Sequence, residues 1–453
     1  MREAIEAALK SSRADYTEIR LEEKEASRVA FRGPELDTAS IVLDKGGIVR
    51  CLVYGGGWGI ATFNDLSDLR HRVEQAYQGA RAIQGERIEL APTPVSEDAI
   101  MVPLERDFRG VSVTEKRQLA AAYNEIALRH DPSIVDTSTA YWDSFSRVTY
   151  ANSEGTWIVE ERPMVNVSVS VVARRDGDVQ RAFEGVSRVA GFEAVQGHEE
   201  MARTVAQRAV NLLAAPRVKG GRYTVVCNPK LAGVFAHEAF GHLSEADFVY
   251  ANPQAQEMMV LGRRFGQDIL TIVDDGSLPG LRGSHKYDDE GTPTGRSELI
   301  KDGILVGRLH SRETAAKMGE KPTGNARATG YRYPPIVRMT NTFIEAGETS
   351  FEDMIADIEL GIYACDAFGG QTALESFSFT AAHAYMIRKG RVEEMVRDVA
   401  LAGNLFHTLM SIEAIGDDFA WADFGMCGKG QGGLPVALGS PHIRIRDVAI
   451  GGE

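Results

Sequence analysis

Apolar and polar positions alternate with two different periods along the chain, and each change of period marks an expected element. Residues 2–12 have the helical period, and from Tyr16 to Phe63 the pattern changes to strand-length segments separated by turn residues. A further helix is expected from about Asp65 to Ile83. The stretch Gln84 to Phe108 contains several prolines, so we expect it to be a connection.

The central part of the chain repeats this order of helix and then strands. Ser112 and Glu115 have the spacing of a capping box, which predicts a helix from there to about His130. A helix from about 194 to 214 is expected to end this part. Between the two helices the alternation predicts strands at about 134–141, 145–151, 156–162, 165–174 and 178–187.

The last part opens with an expected strand at Arg222 to Cys227. Asn228 suits the N-cap of a helix and Pro229 its first position. The chain then becomes rich in glycine and mostly strand-like, and a final strand is expected at His442 to Ala449.

These patterns divide the chain into helix-plus-meander units and a larger, strand-rich C-terminal part. Helices and strands come in mixed runs without strict alternation, so the expected class is α+β. We expect an N-terminal α+β unit at 1–84, a connection at 85–111, a central α+β unit at 112–216 and a larger, strand-rich C-terminal domain at 217–453.

Composition narrows the function without naming it. The 453 residues carry a net charge of −14, which disfavours nucleic acid as a partner because binding there depends on neutralising phosphates. Met1 to Lys10 lacks the apolar core of a secretion signal, and no window has the length of a membrane helix. We therefore expect a cytoplasmic protein that does not bind membranes. The four cysteines are scattered, so a disulfide framework is not expected.

The most informative segment is His237-Glu238-Ala239-Phe240-Gly241-His242, which places two imidazoles around a carboxylate. The histidines are five residues apart, which on a regular helix separates them by roughly 140° and is too far for one metal ion. A π-bulge, or a helix end near Gly241, would bring them together, and π-bulges favour functional sites. If both histidines bind one metal, the helix must be distorted here.

The neighbouring residues suggest how a metal site would be completed. Glu238 lies seven residues after Leu231 on the inward face, where a carboxylate is costly unless it is paired or used. A catalytic zinc site needs a third protein ligand, which can be another histidine, an acid or a cysteine. Cys427 lies in a glycine-rich segment with Lys429 nearby to favour a thiolate. The alternative for Cys427 is a buried loop cysteine, and for the histidines ordinary core or surface positions.

Five segments resemble, in the same order, the TldD/PmbA family of zinc-dependent peptidases, and specifically its catalytic TldD branch. They are His237-Glu238-Ala239-Phe240-Gly241-His242, Tyr287-Asp288-Asp289-Glu290-Gly291, Lys321-Pro322-Thr323-Gly324-Asn325-Ala326-Arg327, Pro334-Pro335-Ile336-Val337-Arg338-Met339-Thr340-Asn341-Thr342 and Cys427-Gly428-Lys429.

The resemblance implies one zinc ion held by His237, His242 and Cys427, with Glu238 as the catalytic base. The C-terminal domain at 217–453 is therefore expected to be the catalytic metal-binding domain. We therefore expect hydrolysis of peptide bonds in unfolded or extended peptides. The resemblance also implies assembly with a PmbA/TldE-like partner subunit as a heterodimer, and a homodimer is the alternative.

Other positions in the matched segments are less specific. Asn325, Arg327 and Arg338 are polar candidates for substrate binding or for stabilising an oxyanion, and each is at least as suited to holding loops together. The segment Leu243-Ser244-Glu245-Ala246-Asp247 departs from the family pattern Gly-Leu-Glu-Gly-Asp, which weakens a role for Asp247. The segment around His285 also differs, so a role for that histidine stays open.

Two other functions remain open from the residues themselves. One is a zinc-stabilised adaptor that modulates another protein without hydrolysis. An inward-facing Glu238 argues against it, because a structural zinc site needs no base. The other is a thiol-dependent hydrolase with Cys427 as nucleophile and a histidine base, which would keep its activity without metal.

Overall fold

The computed structural model describes residues 1–422 and 424–451 and has the α+β architecture expected from the sequence. The N-terminal half contains α1 (Arg2–Lys10), β1 (Tyr16–Arg32), β2 (Glu35–Leu52), β3 (Trp58–Phe63), α2 (Leu69–Ala82), β4 (Glu97–Ile100), α3 (Val113–Leu128), β5 (Ile134–Asn152), β6 (Trp157–Arg175), β7 (Asp178–Arg188) and α4 (Glu199–Ala214).

The strands of this half form a single sheet in the order β3-β2-β1-β5-β6-β4, with β7 also paired to β6. β1 pairs antiparallel with β2 along one edge and with β5 along the other, so the two meanders are continuous. The helices α1 and α2 pack on the β1–β3 part and α3 and α4 on the β5–β7 part, each over its own apolar core.

Several sequence expectations differ from the structure in this half. The expected strands at 134–141 and 145–151 are one strand, β5, and those at 156–162 and 165–174 are one strand, β6. β5 continues because the buried carboxylate of Asp143 is neutralised by Lys116 at 2.6 Å and accepts from Ser27. The capping box is only half formed, since Ser112 caps the helix while the Glu115 side chain pairs with an arginine outside it.

The C-terminal half carries shorter elements. They are β8 (Gly221–Cys227), α5 (Pro229–Ala236), α6 (Ala246–Ala251), α7 (Pro253–Met258), β9 (Ile272–Asp275), β10 (Arg296–Lys301), β11 (Ile304–Leu305), α8 (Arg312–Met318), β12 (Ala326–Arg327), β13 (Ile336–Val337), β14 (Asn341–Ile344), α9 (Phe351–Ile355), β15 (Leu360–Ala373), β16 (Ser376–Arg388), β17 (Arg391–Val396), β18 (Ala400–Asn404), α10 (Leu405–Met410), β19 (Ile412–Ile415), β20 (Ala420–Ala422), β21 (Met426–Gly428), β22 (Gly433–Pro435), β23 (Ala437–Ser440) and β24 (Ile443–Gly451).

Two larger sheets enclose α5. One has the order β11-β10-β9-β14-β23-β20, and the other has the order β15-β8-β24-β18-β16-β17 with β19 paired to β24. α5 contacts β23 of the first sheet and β15 of the second, and its Phe235 packs edge-on against Phe377 and Phe379. The helix is therefore held on both sides, which fixes where its C-terminal end points.

Buried ion pairs join the N-terminal sheet to the C-terminal half. Asp289 lies 2.9 Å from Arg20 of β1 and 2.9 Å from Arg162 of β6. The two arginines outweigh the effect of burial and hold the pKa of Asp289 below its ordinary value. Glu290 lies 3.3 Å from Arg50 of β2. These contacts set the relation between the two halves and lie beside the cavity described below.

Two further expectations concern cysteines and membranes. Each of the four cysteines is a buried free thiol. Within the described part of the chain, no helix combines the length and the apolar character that crossing a bilayer requires.

Candidate metal centre and its surroundings

The two histidines of the central segment follow directly on α5. Asn228 caps this helix by accepting from the amide of Leu231 at 2.9 Å, and Pro229 occupies its first turn, as the sequence predicts. The helix then widens into a π-helical turn at His237–Gly241, which is followed by a 3₁₀ turn at His242–Ser244. The distortion expected from the five-residue spacing is therefore confirmed.

The π turn brings both imidazoles to one side of the chain. The amide of His242 donates to the carbonyl of His237, which is the i→i+5 bond that defines the turn. The ring centroids lie 5.1 Å apart and the rings are nearly perpendicular. A regular helix would have directed the two rings to different faces.

Gly241 allows the turn to pack closely against the short segment between β13 and β14. A Cβ atom at this position would lie 2.0 Å from the sulfur of Met339. Only glycine fits this approach without movement of buried atoms, so the glycine within the segment is explained by packing.

Cys427 reaches the histidines from a small β-hairpin near the C-terminus. It lies in β21, opposite Leu434 of β22, and is fully buried. Its Sγ lies 3.7 Å from Nε2 of His242. Among the described residues, His237, His242 and Cys427 form the group whose ligand atoms all lie within 4.8 Å of one another.

This donor set fits zinc. Zinc–sulfur and zinc–nitrogen bonds of about 2.3 Å and 2.0–2.1 Å in a tetrahedral site separate the two ligand atoms by about 3.6 Å, close to the observed distance. Neither ring nitrogen of His237 hydrogen bonds to any described residue, although Nδ1 is buried. A buried polar atom without a partner is costly, and a metal ion would satisfy one such nitrogen. Thiolate and imidazole ligands together bind zinc in preference to magnesium or calcium.

The two imidazoles differ in their electrostatic surroundings. Burial, together with the positive charges of His242 and Arg338, holds the pKa of His237 well below its ordinary value, so this ring is neutral. For His242, burial acts in the same direction, but hydrogen bonds with Cys427 and Glu245 outweigh it and raise the pKa to about 10. A metal ion must therefore displace a proton from His242, and binding is expected to release protons.

Glu238 lies between the histidines in sequence and is half-buried. Burial raises its pKa, and the nearby Glu245 carboxylate acts in the same direction, while His242 opposes both. It has no hydrogen-bond or ion-pair partner within residues 1–422 and 424–451. The Glu238 side chain is therefore available to exchange a proton, and it lies outside the group of three ligand atoms.

A second carboxylate orients His242 and ties the two ligand segments together. Glu245 is 1% exposed, and its Oε2 accepts from Nδ1 of His242 at 3.1 Å, which directs Nε2 toward Cys427. The same oxygen lies 3.0 Å from Nζ of Lys429, which also contacts Asp247 at 2.7 Å. Lys429 therefore joins the Cys427 strand to the histidine segment through two acids.

The three polar candidates from the sequence lie behind the hairpin. Arg338 is fully buried and donates to the carbonyls of Cys427, Lys429 and Gly432. Arg327 donates to the carbonyls of Met339 and Pro435. Asn325 donates to Asp274 and to the carbonyl of Arg338. All three thus hold the loops of the site, and a role in substrate binding stays a prediction.

A cavity of about 710 Å³ opens between the N-terminal sheet and the C-terminal half. Strands β1, β5 and β6 form one wall, and Met426, Leu434 and Pro435 of the Cys427 hairpin form part of the other. Arg327 and His285 also line it. Burial and two neighbouring arginines hold the pKa of His285 well below its ordinary value, so this ring is neutral.

Sequence reasoning missed Glu245 and assigned Lys429 a different role. The signal for Glu245 was its position three residues after His242, which on a helical turn places the two side chains side by side. Lys429 was expected to favour the Cys427 thiolate, whereas its ammonium binds Glu245 and Asp247. Asp247, whose role was weakened by the departure from the family pattern, is thus part of this network.

Comparisons with known proteins cover nearly the whole chain. Models of the PmbA/TldA metallopeptidase domains match at residues 17–80 for domain 1, 106–213 for the central domain and 220–452 for the C-terminal domain. A protein named metalloprotease from Synechocystis is 46% identical over 98% of this chain and 96% of its own length. A protein named zinc metalloprotease TldD homolog from Saccharolobus solfataricus is 29% identical over 97% of both chains.

Solved structures share the fold. TldE from Thermococcus kodakarensis superposes with a TM-score of 0.79 at 19% identity, over 100% of this chain and 99% of its own. A protein from Thermotoga maritima described as a putative modulator of a DNA gyrase gives a TM-score of 0.81 at 20% identity, over 99% and 100%.

Proposed function

The chain belongs to the PmbA/TldD family of metallopeptidases, and on this basis we propose that it is a zinc-dependent peptidase that hydrolyses peptide bonds of unfolded or extended peptides. The observation that carries the proposal is the convergence of His237, His242 and Cys427, with Glu238 beside them and without a partner among the described residues. A zinc site that serves only structure is normally closed by a fourth protein ligand and needs no acid beside it.

The ion would be held by His237, His242 and Cys427. Neighbouring groups set the protonation state or the position of each of these ligands. When bound, zinc supplies a Lewis acid that activates water and polarises a carbonyl. The neutral His237 ring offers its lone pair without losing a proton, while Glu245 fixes the His242 ring so that Nε2 faces the site. Arg338 holds the backbone of Cys427 in place through its carbonyl.

Glu238 is proposed to act as the general base and then as the general acid. Its carboxylate accepts a proton from the attacking water and returns it to the leaving amine. Burial raises its pKa above the ordinary value, which is the direction that favours returning a proton to the leaving amine. Its lack of a partner among residues 1–422 and 424–451 means that no ion pair must break first.

The substrate and the assembly are part of the same proposal. We propose an extended peptide as substrate, because an extended backbone offers hydrogen bonds that do not depend on side chains. The structural similarity to a protein named TldE supports a heterodimer with a TldE-like subunit, and a homodimer is the alternative.

The test is cleavage of a fluorogenic unstructured peptide by the purified chain, alone and with a TldE-like subunit, before and after removal of metal. We expect cleavage to stop on chelation and to return with zinc. Cleavage that persists after complete metal removal would favour the thiol mechanism, for which the short Cys427–His242 contact is the relevant feature. Stoichiometric zinc without cleavage in either sample would favour the adaptor.

A further inference from the structure

Arg282 is a buried arginine on the wall of the cavity, in the loop between β9 and β10. The residue is only 3% exposed to solvent. Nη1 donates to the carbonyl of Gly425 at 2.7 Å, and the hydrogen-bond partner of Nη2 within the described residues is the sulfur of Met426 at 3.6 Å. The guanidinium also lies over the ring of Phe424, with its central carbon 4.8 Å from the ring centroid. Nε is buried and has no partner among them. One edge of the guanidinium therefore lacks an oxygen acceptor.

Arg282 has no acidic partner among the described residues, which sets it apart from similar arginines. No carboxylate of residues 1–422 and 424–451 lies within 4.0 Å of its nitrogens. Burial, with the like charge of Arg188, lowers the pKa of Arg282 to about 10. Other buried arginines that also have an unpartnered Nε each contact an acid, namely Arg20 with Asp289, Arg50 with Glu18 and Arg308 with Glu320.

Arg338 is the instructive exception. It too lacks a carboxylate among the described residues, but its terminal nitrogens donate to three backbone carbonyls and it does not line the cavity. Arg282 has one carbonyl and one thioether sulfur, and sulfur is a weak acceptor. The hydrogen-bonding capacity of Arg282, which lines the cavity, is therefore only partly filled by the described residues.

The unfilled edge has the geometry that carboxylates bind. Nε–H and Nη2–H point in parallel and form the fork that takes both oxygens of a carboxylate. The side chain that covers this edge, Met426, is 47% exposed and flexible, so it can move aside. Three acids of the cavity wall are already paired with arginines and do not compete for this edge, namely Glu160 with Arg162, Glu161 with Arg147 and Asp289 with Arg20.

We propose that Arg282 is the carboxylate-binding residue of the cavity and that its ligand is a carboxylate of a bound peptide. That the ligand is a peptide rests on the proposed function. That it carries a carboxylate rests on the hydrogen-bond donors of the Arg282 guanidinium. Gly425, which Arg282 contacts, precedes Cys427 by two residues, or about 7 Å of extended strand. The C-terminal carboxylate and an acidic side chain offer the same chemistry.

The experiment measures direct binding, so it does not depend on hydrolysis. A fluorescein-labelled poly-alanine peptide is titrated with the purified full chain by fluorescence polarisation in three forms: the free acid, the C-terminal amide, and the amide with one internal glutamate. We expect the free acid to bind at least about tenfold more tightly than the amide, as the loss of a charge-assisted pair implies. Recovery of tight binding by the internal glutamate would identify a side-chain carboxylate as a ligand as well.

Variants connect the preference to Arg282. In Arg282→Gln the free acid and the amide should bind within about twofold of each other, and Arg282→Lys should retain part of the preference because it keeps the charge but not the fork. Lys286→Gln is the matched control, because it removes the same charge from the same cavity wall at a side chain that is 57% exposed and paired with Asp98. It should leave the preference intact.

Equal affinity of the wild-type chain for all three peptides would overturn the proposal. This comparison uses only the wild-type chain, so it remains valid even if Arg282→Gln does not fold. A preference that survives Arg282→Gln in a folded variant would overturn it too. Binding with the predicted preference but without cleavage would support this proposal while contradicting the peptidase proposal. The two proposals can therefore fail separately.

Discussion

Replacing Glu245 with alanine tests whether the site is organised before the metal binds. Glu245 is buried, accepts from Nδ1 of His242 at 3.1 Å and lies 3.0 Å from Nζ of Lys429. Alanine removes the acceptor that fixes the tautomer and direction of the His242 ring. It also cuts the link between the histidine segment and the strand of Cys427, although Lys429 keeps its contact with Asp247.

The expected magnitude follows from these contacts. Loss of the acceptor behind a metal-binding histidine typically weakens metal affinity by about 10- to 100-fold, or about 1.4–2.8 kcal/mol. We expect Glu245→Ala to fall in the upper part of this range, because the buried Nδ1–H of His242 is left without its acceptor. Glu245→Gln keeps an oxygen for His242 but loses the charge facing Lys429, so we expect less than about tenfold.

The assay is zinc affinity by competition with a chromophoric chelator, with folding checked by thermal unfolding. Glu238→Gln is the matched control, because it neutralises a neighbouring carboxylate that has no hydrogen-bond partner among the described residues. That variant should bind zinc like the wild type. If a folded Glu245→Ala chain bound zinc with wild-type affinity, the carboxylate would have no part in positioning His242, and the account of the network would be refuted.

Three further predictions concern catalysis, packing and pH. Glu238→Gln should lower the rate of peptide cleavage by about 10²- to 10⁴-fold while zinc content stays unchanged, and near-normal cleavage would discard Glu238 as the base. Gly241→Ala should lower the free energy of unfolding by about 1–3 kcal/mol, because its Cβ would lie 2.0 Å from the sulfur of Met339. Gly428→Ala, where the Cβ meets open space, should change it by less than about 0.5 kcal/mol, and equal effects in urea unfolding would contradict the packing argument. Asp289→Asn should destabilise the chain by about 3–5 kcal/mol at neutral pH, since it breaks buried ion pairs. Because the folded pKa of Asp289 lies below the unfolded one, this difference should be constant above about pH 5 and shrink as pH falls below about 4, and a difference that grows on acidification would contradict the assignment.

The sequence predicted the local geometry of the histidine segment well. The cap at Asn228, the proline in the first turn and the need for a distorted helix all follow from short-range rules, and the structure confirms them. Such features depend on hydrogen bonds between residues a few positions apart, which spacing alone specifies.

Long-range features were accessible only in part. From the residues alone, Cys427 was one of several candidates for the third ligand, because 185 positions separate it from His242 and no short-range rule links them. The resemblance to a known family selected it. The continuity of β5 was missed, and it depends on a long-range contact, since Lys116 from a distant helix neutralises the buried Asp143 within the strand. Arg282 carried no local signal either, since its lack of an acid partner among the described residues is visible only after folding.

The most direct test of the central claim is the zinc content of the purified chain and of its Cys427→Ala variant, measured by plasma mass spectrometry. Cys365→Ala serves as the control, because it removes another buried free thiol that lies outside the group of ligand atoms. We predict a single zinc ion in the wild type and in Cys365→Ala, and a large loss of zinc in Cys427→Ala. Full retention of zinc by a folded Cys427→Ala chain would contradict the proposal that Cys427 completes the site.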